Sequence, residues 1–323
     1  MKRRQFVALM ASEIVTWPLV ALAQQVGRTY RLGCLLPFPR DAPVNVAFFD
    51  ELRRRGFIEG QNLAVEYRTF GLHFDLISQY AAELVKAQPD VIYAGGEVAI
   101  RAVQQATKTT PIVGISGDMV GEGLVESLAR PNGNTTGISI LATELDGKRQ
   151  EILIEAVPGL RHMAALADSS TLTETKAHAL REAARARNID LAIHRIAKSE
   201  EITAAIDRAQ ASGATALNVL ASPMLDRNGP LIMERVAALG LPAIYQWPER
   251  AEEGGFAAYG SRFIQLSDLA ARLAGNLLRG TKPADLPIEQ PTKFELVINL
   301  KTAKALGVAV PPTLLARADA VIE

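Results

Sequence analysis

The residue types that carry out catalysis are present in this chain without the spacing that catalysis needs. The run 114–117 lacks the last glycine of the G-x-S-x-G turn that exposes a nucleophilic serine. The glycines at 114, 117, 121 and 123 do not match the G-x-G-x-x-G dinucleotide turn. The four histidines, at 73, 162, 178 and 194, lie too far apart for paired metal ligands. The sequence therefore predicts a protein that is not an enzyme and that binds neither a metal nor a cofactor.

Small polar residues and large apolar residues follow the ends of several predicted strands. In open α/β sheets, ligands bind beside the carboxyl ends of the strands, where loops and helix N-termini meet. A lining that mixes hydroxyl groups, backbone amides and apolar side chains suits a small ligand with a polar end and a hydrophobic body. The predicted ligand-binding residues are Phe38, Gly96, Glu97, Ser116, Asp118, Ser169, Ser170, Thr171, Ser222, Met224 and Trp247.

Some of these residues have an alternative role. Asp118, Asp168, Ser170 and Thr171 could each cap the helix that follows, with no contact to a ligand. The pair 95–96 could only permit a tight turn, although it also leaves N–H groups open at a helix N-terminus, which favours a carboxylate. Trp247 precedes Pro248 in a segment too polar for a core, which favours a position in the cleft, whereas Tyr93 fits a core strand.

Short apolar runs alternate with longer helical stretches along most of the chain. The first series has strands at 30–36, 63–67, 90–93 and 111–115, and the second at 162–167, 191–196, 216–220 and 243–245. Helices at 174–187, 200–211 and 228–239 separate the strands of the second series. Such alternation predicts βαβ units and parallel sheets covered on both faces. The expected fold is α/β, with two doubly wound parallel-sheet lobes joined by a multi-strand hinge.

The chain after 254 breaks this series, with a strand at 256–259, a helix at 266–278 and a further strand at 294–300. We expect this tail to return to the first lobe and then cross again to the second. The predicted N-terminal lobe comprises 24–143 plus 254–282. The predicted C-terminal lobe comprises 144–253 plus 283–323.

The first residues have the pattern of an export signal. Lys2, Arg3 and Arg4 precede an apolar run at 6–23, which ends in Ala-Leu-Ala at 21–23. Cleavage after Ala23 would remove residues 1–23 and release a periplasmic protein with no stable membrane insertion. The alternative is an N-terminal anchor helix, for which the run is short. Whether export follows the general or the twin-arginine route stays open.

Charge and cysteine content narrow the possible partners. Lys plus Arg and Asp plus Glu both number 35, and no basic run is present, so nucleic acid is not an expected partner. Cys34 is the only cysteine, which excludes an intramolecular disulfide. Its leucine neighbours predict a buried strand.

Short motifs along the chain carry a resemblance to a known family. They are EGQN at 59–62, EYR at 66–68, PDVI at 89–92, GLVESLARP at 123–131 and GNTTG at 133–137. The longest is KPADLPIEQPTKFELVINL at 282–300, which leads into KTAKALG at 301–307. On these motifs the chain resembles the ABC-transporter substrate-binding proteins of the type I periplasmic-binding fold, which include tryptophan and tyrosine binders. It departs from them at Met119, where a proline is usual, and at 73–75, where a more basic segment is usual.

The resemblance implies a monomeric receptor that closes around a small-molecule ligand and docks on the permease of an ABC importer. Phe38, Met224 and Trp247 favour an aromatic amino acid or another aromatic or apolar carboxylate. The alternative is a periplasmic sensor module that passes ligand occupancy to a membrane signalling partner. Ligand that contacts both lobes would favour the closed state.

Overall fold

The computed structural model describes residues 28–71 and 73–323 of the chain. The predicted signal peptide, 1–23, and its cleavage after Ala23 lie outside these residues. Within them, no helix is both long and apolar enough to cross a lipid bilayer.

The first sheet has five parallel strands in the order β2-β1-β3-β4-β5. The strands are β1 (Tyr30–Leu36), β2 (Leu63–Thr69), β3 (Val91–Gly95), β4 (Ile112–Ser116) and β5 (Thr135–Ser139). The sequence analysis predicted four of these strands and missed β5. Gly137 in β5 lies so close to β4 that a Cβ there would be 2.0 Å from the carbonyl oxygen of Gly114. Glycine at this position therefore allows the fifth strand to pair.

The second sheet has seven strands in the order β12-β11-β10-β9-β8-β6-β7. The strands are β6 (His162–Asp168), β7 (Asp190–Ile196), β8 (Leu217–Val219), β9 (Ala243–Tyr245), β10 (Ala257–Gly260), β11 (Glu295–Asn299) and β12 (Ala320–Ile322). All neighbours pair in parallel except β10 and β11, which are antiparallel. The prediction of two α/β lobes built on parallel sheets is confirmed, with this one antiparallel pair added.

Helices cover both faces of each sheet. Those beside the first sheet are α1 (Pro43–Arg54), α2 (Ile77–Lys86), α3 (Glu97–Ala106) and α10 (Phe263–Leu278). Those of the second lobe are α4 (Ala142–Ala156), α5 (Glu174–Arg185), α6 (Ile202–Ala211), α7 (Pro223–Arg227), α8 (Gly229–Ala238), α9 (Pro248–Glu252), α11 (Leu300–Ala305) and α12 (Pro312–Leu315). Their apolar faces form four buried clusters, and Cys34 lies fully buried in one of them. Burial raises the pKa of the Cys34 thiol, which keeps it protonated.

The chain crosses between the lobes three times: between β5 and α4, between β10 and α10, and before β11. The sequence analysis assigned 254–282 to the first lobe, yet β10 pairs with β9 and β11 of the second sheet. It also assigned 283–323 to the second lobe, yet Glu289 exchanges backbone hydrogen bonds of 2.9 Å with Gly137 and Ser139 of β5. The first boundary was wrong because β10 continues the second sheet from the preceding strand, β9, and the second because Glu289 pairs with a strand far away in sequence, which local pattern does not encode.

Candidate functional site

A cavity of about 180 Å³ lies between the two lobes, at the carboxyl ends of both sheets. The loops after β1, β3 and β4 line it from the first lobe, and the loops after β6, β8 and β9 line it from the second. These are the loops from which the sequence analysis selected its binding residues. The crossover geometry therefore brings six strand ends, far apart in sequence, into one site.

Eight of the eleven predicted binding residues line this cavity. They are Phe38, Gly96, Glu97, Ser116, Ser170, Thr171, Ser222 and Trp247.

Three predicted residues do not line the cavity, and each has a local structural role. Asp118 accepts a hydrogen bond from the Gly121 N–H at 2.8 Å. This bond closes a turn, so Asp118 does not cap a helix as the alternative predicted. Ser169 is exposed and extends the pairing of β6 with β7 through its N–H, 2.8 Å from the Ile196 carbonyl. Met224 is buried in the core of the second lobe. The prediction that they face the cavity does not hold in the structure, since strand-end position alone does not give the direction of a side chain.

The loop after β1 is held rigidly at the cavity. Asn45 Nδ2 donates to the Pro39 carbonyl at 2.8 Å and to the Tyr67 hydroxyl at 2.8 Å. The Tyr67 hydroxyl donates in turn to the carbonyl of Phe38 at 2.8 Å. These bonds fix the backbone that carries the Phe38 ring.

Helix α3 opens on the cavity without a side-chain cap. Its N-cap residue is Gly96, whose φ of 90° suits glycine, and no side chain accepts from the first turn. The Glu97 carboxylate forms an ion pair with Arg101, one turn further along the helix and 2.9 Å away, and so does not cover the helix end. The helix N-terminus therefore offers N–H groups and a positive dipole end to a ligand anion.

Ser222 and Asp168 form a network in the second lobe. The Ser222 hydroxyl caps α7 by accepting from the Met224 N–H at 3.1 Å, and it donates to Asp168 Oδ2 at 2.7 Å. Asp168 Oδ1 accepts from the N–H and the hydroxyl of Ser170, at 2.8 and 2.7 Å. The following helix, α5, is capped by the Thr173 side chain, which accepts from the Lys176 N–H, so the alternative that Ser170 or Thr171 caps it is wrong. The network aims a buried carboxylate at the cavity.

Acidic side chains outnumber basic ones in the cavity wall. The charged lining residues are Glu97, Glu122, Asp146, Asp168, Asp226 and Lys176. Arginines neutralise three of these acids: Arg101 pairs with Glu97, Arg149 with Asp146 and Arg250 with Asp226. Among the described residues, Glu122 and Asp168 form no ion pair.

Glu122 is a cavity residue that the sequence analysis missed. It lies on the turn after β4, and its carboxylate accepts a hydrogen bond from the Ser116 hydroxyl. Burial raises the pKa of the Glu122 carboxyl, an effect that the Ser116 hydrogen bond opposes and the nearby Glu97 reinforces. Lys176 of the second lobe acts on the same carboxyl as a distant positive charge. Glu122 and Asp168 thus give one uncompensated carboxylate to each lobe.

Asp146 is a second residue that the sequence analysis missed. It lies on α4 and accepts from the Ala221 N–H at 3.1 Å and from Arg149. The Arg149 side chain is 0% exposed and also donates to the Tyr259 carbonyl at 3.1 Å. An acid three residues before an arginine within a helix is a common surface pattern, and only the fold buries this pair under the cavity.

Aromatic rings form the apolar part of the wall. They belong to Phe38, Phe70, Phe74, Tyr93, Trp247 and Phe263. Tyr93 is buried and stacks on Phe48 at 4.4 Å, in agreement with the core role predicted for it, while one part of it reaches the cavity. The Trp247 ring lies 4.5 Å from the Phe263 ring, and its indole Nε1 is buried with no hydrogen-bond partner in the part of the chain that the structure describes.

A two-lobed α/β fold with a cavity between the carboxyl ends of its two sheets is typical of solute-binding proteins. The family model described as ABC transporter substrate binding protein matches residues 43–322. The chain belongs to this family, whose members are solute-binding proteins and not enzymes. The resemblance found in the sequence motifs is thereby confirmed.

Individual relatives agree with this assignment. The tyrosine-binding protein of Clostridioides difficile (strain R20291) is 25% identical over 264 residues, which cover 80% of this chain and 75% of that protein. The solved ABC domain from Streptococcus pneumoniae in complex with L-Trp is 22% identical, with a TM-score of 0.82 over 91% of this chain and 100% of that one. A conserved domain protein from Vibrio cholerae has 25% identity and the same TM-score of 0.82, with 91% and 100% covered. These likenesses confirm the fold over nearly the whole described chain.

Proposed function

We propose that the protein is an exported receptor that captures an aromatic amino acid in the interlobe cavity and delivers it to the permease of an ABC importer. The observation that carries the proposal is the pair of uncompensated carboxylates, Glu122 and Asp168, in a wall lined with aromatic rings. A buried carboxylate without a cation favours a ligand that supplies one. An ammonium group is such a cation.

The carboxylate of the ligand has its own complement in the first lobe. The uncapped N-terminus of α3 offers N–H groups there, and Gly96 faces Pro223 of α7 across the cavity, with 3.7 Å between its Cβ position and Pro223 Cγ. The Ser222–Asp168 network begins at that end of α7. The ligand ammonium would thus meet a carboxylate from each lobe while the ligand carboxylate meets the first lobe, so that binding would favour closure.

An aromatic body is supported by the six rings of the wall and by two relatives. One is named a tyrosine-binding protein, and the other was solved with L-Trp. Export to the periplasm, with cleavage after Ala23, is supported by the basic start and the small residues at 21 and 23. We propose that the receptor delivers its solute as a monomer, with one solute bound in its cleft.

The proposal is tested with three probes that share one ring. L-Tryptophan carries both charges, indole-3-propionate lacks the ammonium group and tryptamine lacks the carboxylate. We expect L-tryptophan to raise the melting temperature of the mature protein by mass action, and the other two to raise it far less. L-Tyrosine and its two analogues provide an independent set. Equal shifts with the amino acid and with its deaminated analogue would contradict the role of the two carboxylates.

A matched pair of variants assigns the effect to the cavity. Asp168→Asn removes the uncompensated carboxylate charge of the second lobe. Asp190→Asn removes the charge of an exposed carboxylate at the opposite end of the same sheet. We expect the first to weaken L-tryptophan binding at least tenfold and the second to leave it unchanged. Delivery is tested by reconstitution with the permease, where the loaded receptor should stimulate ATP hydrolysis. Co-purification with a histidine kinase in place of a permease would support a sensor instead.

A further inference from the structure

Helix α7 of the second lobe contacts the first lobe at both of its ends. Its first residue, Pro223, lies opposite Gly96 in the loop after β3. Its last residue, Arg227, places its guanidinium carbon 3.7 Å from the Cβ position of Gly71, after β2. Arg227 Nη1 also donates to the Pro37 carbonyl, after β1, at 3.3 Å. A helix of five residues thus contacts three successive strand ends of the other lobe.

Arg227 has no competing acidic partner within the described residues, where it forms no ion pair. The adjacent Asp226 points the other way and is held by Arg250, whose guanidinium lies 2.9 Å from the Asp226 carboxylate and 2.8 Å from its backbone carbonyl. This pair ties α7 to the second lobe. The Arg227 side chain is therefore left to cross the gap between the lobes.

The two ends of α7 connect this crossing to the cavity. Ser222 caps the first turn and holds Asp168, which faces the cavity, while Arg227 at the last position does not line the cavity. One turn of helix therefore joins a residue of the binding wall to a contact that spans the lobes. A solute that orders Asp168 and Ser222 would also order α7.

The contact can break without leaving a buried group unsatisfied. The Pro37 carbonyl has a second donor, the Thr69 hydroxyl at 3.5 Å, which belongs to the same lobe. Arg227 is an exposed residue, so water can solvate its guanidinium when the lobes separate. Because neither partner is orphaned, the hydrogen bond is suited to repeated formation and release.

We propose that Arg227 is a positioning residue that sets the equilibrium between the open and closed lobes and contacts no solute. The inference rests on the proposed function only in that the closed form is the one that holds the solute. The apparent affinity of a receptor falls with the fraction of molecules in the binding-competent state. Arg227 therefore sets affinity and release from outside the cavity.

The test measures the equilibrium in solute-free protein. Nitroxide labels are attached at two exposed positions, one in each lobe, in a Ser78→Cys, Ala204→Cys background, and the distances between them are read by electron spin resonance. The native Cys34 is buried and stays unlabelled. We expect Arg227→Met to lower the ratio of closed to open molecules about tenfold, which corresponds to about 1.4 kcal/mol. Arg227→Lys, which retains one charged donor, should give an intermediate ratio.

The matched control is Arg185→Met, which removes a charge from an exposed helix of the same lobe. It should leave the distance distribution unchanged. The melting temperatures of all these variants should equal that of the parent. With L-tryptophan as the probe, dissociation should be faster from Arg227→Met than from the parent. An unchanged distribution in Arg227→Met would overturn the inference even if L-tryptophan binds. A shifted distribution in a protein that binds no amino acid would uphold it and refute the proposed function alone.

Discussion

Trp247 is the residue whose replacement most directly tests the site. It is the only tryptophan among the described residues, and the other one in the chain, Trp17, falls in the predicted signal peptide. Its ring lines the cavity and packs on Phe263 of α10. Strand β9 of the second lobe leads into it, so the side chain bridges the lobes. Closure around a solute should therefore shift its emission in a saturable way.

Two substitutions separate the ring from its N–H group. Trp247→Ala removes the ring, and a wall aromatic of this size contributes about 1–3 kcal/mol to binding, or roughly 5- to 150-fold in Kd. Trp247→Phe keeps a ring but removes Nε1–H, which is buried without a partner in the solute-free protein. If the solute accepts from that group, the loss should be about 0.5–1.5 kcal/mol. Titration calorimetry measures both, since neither variant retains a tryptophan among the described residues to report on binding.

The stability of the variants is predicted from the same contacts. The Trp247–Phe263 pair is worth about 0.5–1.5 kcal/mol beyond its buried area. Because Trp247 is only partly buried, its truncation should cost less than the ~3–5 kcal/mol of a fully buried ring. Trp247→Phe loses the unpartnered N–H at almost no cost but also loses one fused ring, so in the absence of solute it should be destabilised, though less than Trp247→Ala. Phe49→Leu, which truncates a ring outside the cavity wall, is the matched control and should bind normally.

Either of two results would refute this reasoning. If saturating L-tyrosine, which adds no indole signal, leaves the emission unchanged while calorimetry shows binding, Trp247 does not report on the cavity. If Trp247→Ala unfolds while its residual folded fraction binds with parental affinity, the indole supports the fold and not the site.

Further outcomes follow from the acidic wall, the N-terminus and the absence of catalytic spacing. Glu122→Gln should raise the melting temperature at pH 7 but not at pH 4. Because the pKa of Glu122 is raised in the folded protein, its ionisation costs stability as the pH rises through that pKa. A larger gain at pH 4 than at pH 7 would contradict this reasoning. The same variant should bind L-tryptophan more weakly, a loss of function coupled to a gain in stability. Expressed with its leader in a Gram-negative host, the protein should be recovered from the periplasm beginning at Gln24; membrane retention with Met1 intact would refute export. The bound amino acid should be recovered chemically unchanged after long incubation, and steady conversion by pure protein would contradict a receptor.

Local pattern was sufficient for much of the fold. Alternating strands and helices predicted two parallel α/β lobes, and a run such as 112–116 is recognisable because its buried apolar residues are contiguous. Strand β5 was missed because Thr135, Thr136 and Gly137 have the composition of a loop. These residues form a strand because Gly137 packs closely against Gly114 of β4. The two glycines are 23 residues apart in sequence, so local pattern does not indicate their contact.

The binding site divides in the same way. The sequence by itself determined which loops meet at the cavity, because the carboxyl ends of parallel strands share one edge of a sheet. It also selected Ser222 and Trp247 from residue type and position. Tertiary structure decided which strand-end side chains point inward, and it decided that β10 joins the second sheet and that Glu289 pairs with β5 of the first. Charge compensation was decided there too: Arg250 and Arg149 neutralise Asp226 and Asp146, whereas neither Asp168 nor Glu122 forms an ion pair within residues 28–71 and 73–323. That balance depends on distances between separate elements, and those distances exist only once the two lobes have packed.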